Sequence, residues 1–349
     1  MTFQVVDTDP RAGGWWPVVE TPEPLEPRNA SLPAGLVRPD ALVSAAAVIA
    51  LTEGPAADRE GNVYFSDIPN DRILRLSASG ELTVFREQAG RANGNLFDRE
   101  GRLVTCEGGE FGVNGRRRLV RTDLGTGEIS VLTERFEGKR YNSPNDLAID
   151  SRGNIFFTDP RYTDPRGREM DVEAVYRLDT RGTVRRILSQ PAIQKPNGIA
   201  VSPDDRMLYV VDSNPKPDGN RKVWAFDLDG DGNPAHQWLV YDFRRGRGGD
   251  GVRLDVRGNL WIAAGINAPR RRLDTPPGSP PDASGETLDV PAGIYVITPE
   301  GRLLGRIPIP EDLVTNLTFG PPGRKTLHVT AGRNLYRMPI EVEGYVLHS

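Results

Sequence analysis

The sequence is poor in the side chains that build sulfur and imidazole sites. Its 349 residues include one cysteine, Cys106, and three histidines, His236, His328 and His348. A lone cysteine excludes an internal disulfide framework and any multi-cysteine metal site. The histidines are scattered along the chain, which argues against a histidine-ligated zinc site and against a Ser-His-Asp triad.

Long apolar runs and a strong charge of one sign are also absent. The longest apolar run, residues 41–51, is interrupted by Ser44 and is far shorter than a membrane span. Residues 1–7 have no basic stretch followed by an apolar core, as a secretory signal would. A formal net charge of -4 gives no electrostatic reason to bind nucleic acid or an anionic membrane. We expect a soluble cytoplasmic protein, monomeric or dimeric, that binds small molecules.

Glycine and proline are plentiful instead, and they punctuate a repeated strand-turn-strand pattern. In the clearest copy the apolar residues 147–149 end at Asp150, a turn follows around Gly153, and residues 155–158 are β-branched or aromatic. This pattern predicts a β-hairpin. Six copies recur at intervals of roughly 50 residues, with the last interval the longest. The sequence therefore predicts an all-β protein, a six-bladed β-propeller.

The residue five positions before each turn carries a side-chain oxygen in every copy. These lead residues are Glu53, Asn93, Asn145, Asn197, Asp250 and Asn316. The first strand of a propeller blade lines the central channel, so six equivalent positions should face one another around the axis. A ring of carboxylate and amide oxygens predicts a central divalent-metal site, with calcium the preferred ion. The competing interpretation is that they are ordinary turn residues, since Asn and Asp favour turns.

Three segments stand apart from the repeat. Residues 1–40 are proline-rich and are interpreted either as a loose extension or as a segment that crosses the propeller to dock or to close the last blade. Residues 41–51 are predicted to form a buried strand leading into Glu53, at the start of a single propeller domain over residues 41–349. Residues 266–291 are predicted to be an inserted loop, which accounts for the long last interval.

Three other motifs are weaker candidates for a functional site. Residues 227–233 begin like a calcium loop, but Trp238 stands where the twelfth-position glutamate should be, so a polar turn is favoured. Ser143 has no base beside it in the repeat and is not favoured as a nucleophile. Cys106 lies within an apolar strand and is interpreted as a core residue.

Four segments together resemble the signature of one family. They are Glu53-Gly54-Pro55, Ser143-Pro144-Asn145-Asp146 with Phe157-Thr158-Asp159-Pro160, Lys195-Pro196-Asn197-Gly198 with Ser202-Pro203-Asp204, and Gly249-Asp250-Gly251. The family is that of gluconolactonase, regucalcin (SMP-30) and luciferin-regenerating enzyme, which are six-bladed propellers. The resemblance implies one divalent cation, usually calcium and sometimes zinc, with magnesium or manganese as further alternatives. By motif its ligands would be Glu53, Asn145, Asn197 and Asp250.

The resemblance also implies an activity. We expect a metal-dependent hydrolase that opens a lactone, most simply a sugar lactone, with Asp250 as both ligand and general base. Asn93, Ser143 and Asn316 are candidate substrate-binding residues. Ser143 stands where regucalcin-like members have an arginine, which leaves the substrate open. The alternatives are hydrolysis of a phosphotriester or another ester at the same ion, and a non-catalytic binding propeller stabilised by its metal.

Overall fold

The computed structural model describes residues 44–110, 115–162, 167–268 and 286–347, together with Gly35. Regular structure in these ranges is almost entirely β, the exception being one 3-10 turn at Ile68–Asn70. Six four-stranded antiparallel sheets follow one another along the chain, which confirms the predicted six-bladed propeller. No helix in the described ranges is long and apolar enough to cross a membrane.

The strands are numbered in chain order, and each blade begins with its innermost strand. Strand β1 (Ser44–Val48) precedes the blades. The first blade contains β2 (Thr52–Ala57), β3 (Val63–Asp67), β4 (Arg72–Leu76) and β5 (Leu82–Glu87), and the second contains β6 (Ala92–Phe97), β7 (Leu103–Glu107), β8 (Arg118–Thr122) and β9 (Ile129–Thr133). After the short hairpin β10 (Arg135–Phe136) and β11 (Lys139–Arg140), the third blade contains β12 (Leu147–Ile149), β13 (Ile155–Asp159), β14 (Ala174–Leu178) and β15 (Val184–Ser189), and the fourth contains β16 (Pro196–Val201), β17 (Met207–Ser213), β18 (Arg221–Leu228) and β19 (Pro234–Asp242). The fifth blade contains β20 (Gly249–Leu254), β21 (Leu260–Ala264), β22 (Gly293–Ile297) and β23 (Leu303–Pro308), and the sixth contains β24 (Val314–Gly320), β25 (Thr326–Ala331) and β26 (Asn334–Pro339).

The last blade is completed by the other end of the chain. Strand β1 pairs antiparallel with β26, with Ser44 opposite Arg337, and becomes the outermost strand of the sixth sheet. The region predicted as one strand over residues 41–51 therefore contains β1, a break, and the approach to β2. Residues 1–34 and 36–43 lie outside the described residues, as do residues 269–285 of the predicted loop, so the interpretations of those segments stay predictions.

Short hydrogen-bonded turns join the first and second strands of the blades. In the third blade Asp150 Oδ1 accepts hydrogen bonds from the backbone N–H of Arg152 at 2.9 Å and of Asn154 at 2.8 Å. Gly153 between them has φ of 90°, a conformation that is strained for a residue with a Cβ atom. Asp98 and Asp255 hold their turns by the same two bonds, and Asp58 Oδ1 accepts the one from the backbone N–H of Asn62 at 2.8 Å. The repeated Asp-x-x-Gly pattern is therefore structural.

Carboxylates at the ends of second strands fix the chain as it enters the innermost strand of the same blade. Asp159 accepts hydrogen bonds from the backbone N–H groups of Asn142 at 2.8 Å and Ser143 at 2.7 Å. Asp212 does the same for Gln194 and Lys195 at 3.1 and 2.8 Å. These bonds lie two or three residues before a lead residue and so fix where that residue enters the channel.

The C-terminal segment covers the far end of the channel. The backbone N–H of Tyr345 donates to Leu254 O at 2.8 Å, and that of Gly344 donates to Arg324 O at 2.9 Å. Residues 345–347 lie against the ends of the innermost strands, beside Ile149 and Phe319. The lead residues lie at the opposite ends of those strands.

Candidate metal centre and active site

Close backbone contacts place successive lead residues next to one another around the channel. A glycine follows the lead residue in four of the six blades, and a Cβ atom there would collide with the lead residue of the next blade. At Gly54 it would lie 2.1 Å from Asn93 O, at Gly94 2.6 Å from Asn145 O, and at Gly198 2.2 Å from Asp250 O. At Gly251 it would lie 2.2 Å from Asn316 Oδ1. The structure therefore brings the predicted ring together.

Two carboxylates, Glu53 and Asp250, face this ring. Glu53 is 5% exposed, and burial raises the pKa of its carboxyl well above the ordinary value, with the charges of Asp250 and Asp146 adding to the effect. Glu53 Oε2 accepts hydrogen bonds from the backbone N–H of Gly54 at 2.7 Å and from Asn316 Nδ2 at 3.3 Å. Two neighbouring carboxylates repel each other, and a cation bound to both relieves that repulsion, so this pair is suited to a positive ion.

Arg247 anchors the second carboxylate. Its Nη2 atom pairs with Asp250 Oδ2, while its Nη1 atom donates to Val314 O at 2.9 Å. The arginine side chain is 9% exposed and that of Asp250 is 14% exposed. The pairing holds the Asp250 side chain in one rotamer. Sequence reasoning missed Arg247.

The amide side chains of the ring differ in how they are held. Asn316 is engaged at both ends: Nδ2 donates to Glu53 Oε2 and to Asp146 Oδ2, both at 3.3 Å, and Oδ1 accepts from the N–H of Leu317 at 2.9 Å. It therefore orients its neighbours. The Oδ1 atom of Asn93 is buried and makes no hydrogen bond with the described part of the protein. That orphaned oxygen is suited to a cation or to a donor on a substrate.

Ser143 lies beside the ring but is occupied. Its Oγ accepts a hydrogen bond from the backbone N–H of Gly109 at 2.9 Å, and its own N–H donates to Asp159 Oδ1. The residue is 5% exposed. Ser143 thus connects the second and third blades, and its predicted contact with substrate stays a prediction.

A buried ion pair lies next to the ring and was not predicted. Asp146, which follows Asn145 where four other copies have glycine, receives both Nη atoms of Arg253, each at 3.1 Å. The side chains are 1% and 9% exposed, respectively. The pair links the third blade to the fifth and balances the charge of Asp146, as Arg247 does for Asp250. The signal available in the sequence was the departure from glycine at position 146.

The donor set fits a hard divalent cation. No group of three or more His, Cys, Asp or Glu side chains that could hold a metal ion occurs among the described residues, because the ring combines two carboxylates with neutral amides. Calcium takes carboxylate, amide and carbonyl oxygens, which are the kinds of donor that the ring offers. The orphaned Asn93 oxygen and the facing carboxylates are the two structural features that support this fit.

Known proteins place this architecture in a family. Residues 51–333 match the family model described as the SMP-30/Gluconolactonase/LRE-like region. A gluconolactonase from Zymomonas mobilis is 29% identical over 320 residues, which cover 84% of this chain and 79% of that protein. The structure of a gluconolactonase from Xanthomonas campestris superposes with a TM-score of 0.72 at 29% identity, covering 90% of this chain and 95% of that one.

A third relative is named for a different activity. The diisopropyl-fluorophosphatase of Loligo vulgaris is 27% identical over 234 residues, covering 60% of this chain and 71% of that protein. The family match spans the propeller from the start of the first blade to the last one, and it agrees with the resemblance inferred from the four sequence segments. The chain belongs to the SMP-30/gluconolactonase/LRE-like family.

Proposed function

We propose that this propeller hydrolyses a lactone, with a sugar lactone as the favoured substrate, at a divalent cation held in the channel. The observation that carries the proposal is the ring of lead residues, in which the charge of Asp250 acts on the buried carboxyl of Glu53 and successive lead residues lie close together. Two of the relatives described above are gluconolactonases, which supports the choice of substrate class.

Glu53, Asn145, Asn197 and Asp250 would hold the ion, with calcium favoured by the all-oxygen donor set. A bound divalent cation supplies Lewis-acid polarisation of the carbonyl and lowers the pKa of bound water. Glu53 contributes charge and is itself held by Gly54 and Asn316. Asn316 keeps the Glu53 carboxylate in one orientation.

Asp250 is the proposed general base. It would take a proton from the attacking water as the oxygen adds to the lactone carbonyl carbon. Cleavage of the ring C–O bond then returns a proton to the leaving oxygen and yields the open-chain hydroxy acid. Because Arg247 pairs with Oδ2 of Asp250, the carboxylate is held in one orientation. Asn93 Oδ1 would accept a hydrogen bond from a substrate hydroxyl.

A second candidate is hydrolysis of a phosphotriester at the same ring. The similarity to the Loligo vulgaris diisopropyl-fluorophosphatase favours it. The same oxygen ligands would hold the cation, because a cation polarises a phosphoryl oxygen by the same Lewis-acid effect as a carbonyl oxygen.

The test is proton release from a panel of sugar lactones, aliphatic lactones and one fluorophosphate, using protein of measured metal content. We expect hydrolysis of a sugar lactone that stops with chelator, returns with calcium, and falls by at least 100-fold in Asp250→Asn, the order of a lost general base. Turnover of the fluorophosphate alone would transfer the proposal to the second candidate. No turnover by metal-loaded protein would leave a metal-stabilised binding propeller.

A further inference from the structure

Tyr162, which lies in the segment after β13, reaches the lead residue of the following blade. Its hydroxyl oxygen accepts a hydrogen bond from Asn197 Nδ2 at 3.0 Å. Its backbone N–H donates to Glu110 Oε1. The tyrosine thus connects a loop of the third blade to the ring, although it belongs to none of the repeated positions.

The tyrosine ring is held by a partly buried lysine. Lys195 Nζ lies 5.0 Å from the centroid of the ring, a distance at which the cation attracts the ring face. The same Nζ donates to Glu173 Oε1 at 2.7 Å and to Arg161 O at 2.6 Å. The Lys195 side chain is 12% exposed. These contacts fix the position of the hydroxyl relative to Asn197.

The hydrogen bond decides which end of the Asn197 amide faces the channel. A primary amide has one accepting oxygen and one donating nitrogen on opposite branches. With Nδ2 committed to Tyr162, the Oδ1 atom is the end left for a cation. An amide turned the other way would present N–H groups to a positive ion and would repel it.

We propose that Tyr162 is a positioning residue that fixes the amide of Asn197 so that its oxygen faces the metal ring. The inference rests on the proposed metal site but not on the identity of the substrate. The hydroxyl oxygen accepts this hydrogen bond while the ring stays in contact with Lys195.

The test is the calcium affinity of Tyr162→Phe, measured on metal-free protein by competition with a fluorescent calcium chelator. Phenylalanine keeps the ring and its contact with Lys195 but removes the acceptor. We expect the dissociation constant for calcium to rise about 10- to 100-fold, as for other residues that orient a metal ligand. The melting temperature without calcium should change little, whereas the increase produced by calcium should shrink.

Tyr141→Phe is the matched control, because it also removes a tyrosine hydroxyl from the third blade. The Tyr141 hydroxyl bonds to Thr133 Oγ1 at 2.7 Å and donates to Arg135 O at 3.2 Å, and neither partner is a ring residue. This variant should lose thermal stability and keep its calcium affinity. An equal loss of affinity in both variants would mean general loosening of the blade and would overturn the inference.

Asn197→Asp supplies a second arm. A carboxylate has two equivalent oxygens, so its orientation no longer matters, and adding Tyr162→Phe to this variant should leave calcium affinity unchanged. A penalty that persists in the aspartate background would overturn the positioning role. Wild-type calcium affinity retained in Tyr162→Phe would overturn this inference alone, whereas wild-type protein that binds no divalent cation would overturn the metal site itself and this inference with it.

Discussion

Replacing Arg253 with methionine removes the cation from the buried ion pair beside the ring. Asp146 is 1% exposed, and within the described part of the chain it would keep as hydrogen-bond donors the N–H of Leu147 at 2.9 Å and Asn316 Nδ2 at 3.3 Å. A buried carboxylate that loses its cation is left with a large desolvation cost. Breaking such a pair from one side costs about 3–5 kcal/mol.

The effect on the melting temperature follows from the size of the protein. An unfolding entropy of about 2.1 cal/mol/K per residue, over the roughly 280 described residues, converts about 4 kcal/mol into a decrease of about 7 °C. The assay is urea unfolding and thermal melting of Arg253→Met at pH 7 and one fixed calcium concentration. Asp146→Asn combined with Arg253→Met should recover more than half of the loss, because no uncompensated charge then remains buried.

Two results would refute this reasoning. A loss below about 1 kcal/mol would mean that the pair behaves like a solvated surface ion pair, so that water reaches Asp146 through the channel. A double variant that is less stable than Arg253→Met would mean that the Asp146 carboxylate stabilises the blade through its other hydrogen bonds.

Two further predictions concern pH and packing. Burial lowers the pKa of His328 to about 4, so between about pH 4 and 6.5 the unfolded chain binds more protons than the folded protein does. The free energy of unfolding should therefore fall by about 3 kcal/mol as the pH decreases through that range. Burial raises the pKa of Asp159 to about 7, so this residue changes stability with pH in the opposite direction. The measurement is therefore the difference in unfolding free energy between wild type and His328→Gln, which should become smaller as the pH decreases. A difference that does not change with pH would contradict the lowered pKa of His328. Gly251→Ala should lower the free energy of unfolding by about 1–3 kcal/mol through overpacking, since the new methyl would lie 2.2 Å from the Asn316 side chain. The control Gly230→Ala, which places its methyl in open space, should unfold like wild type. Equal stabilities of the two variants would contradict the close packing of the ring.

The sequence alone determined the features that depend on local interactions. A turn such as Asp150 to Asn154 is closed by hydrogen bonds within five residues, so its recurrence revealed the number of blades. The lead residues follow from the same register, because each lies a fixed distance before a turn. Their oxygen-bearing side chains were therefore visible before any contact between blades was known.

Tertiary structure decided what depends on distant partners. Arg253 and Asp146 are 107 residues apart, and Tyr162 and Asn197 are 35 apart, so no periodicity links the members of either pair. The closing of the sixth sheet by β1 joins the two ends of the chain. Repetition in the sequence reveals the structure of the repeated blade. The charge balance of the ring and the orientation of its amides depend on contacts between different blades around one axis.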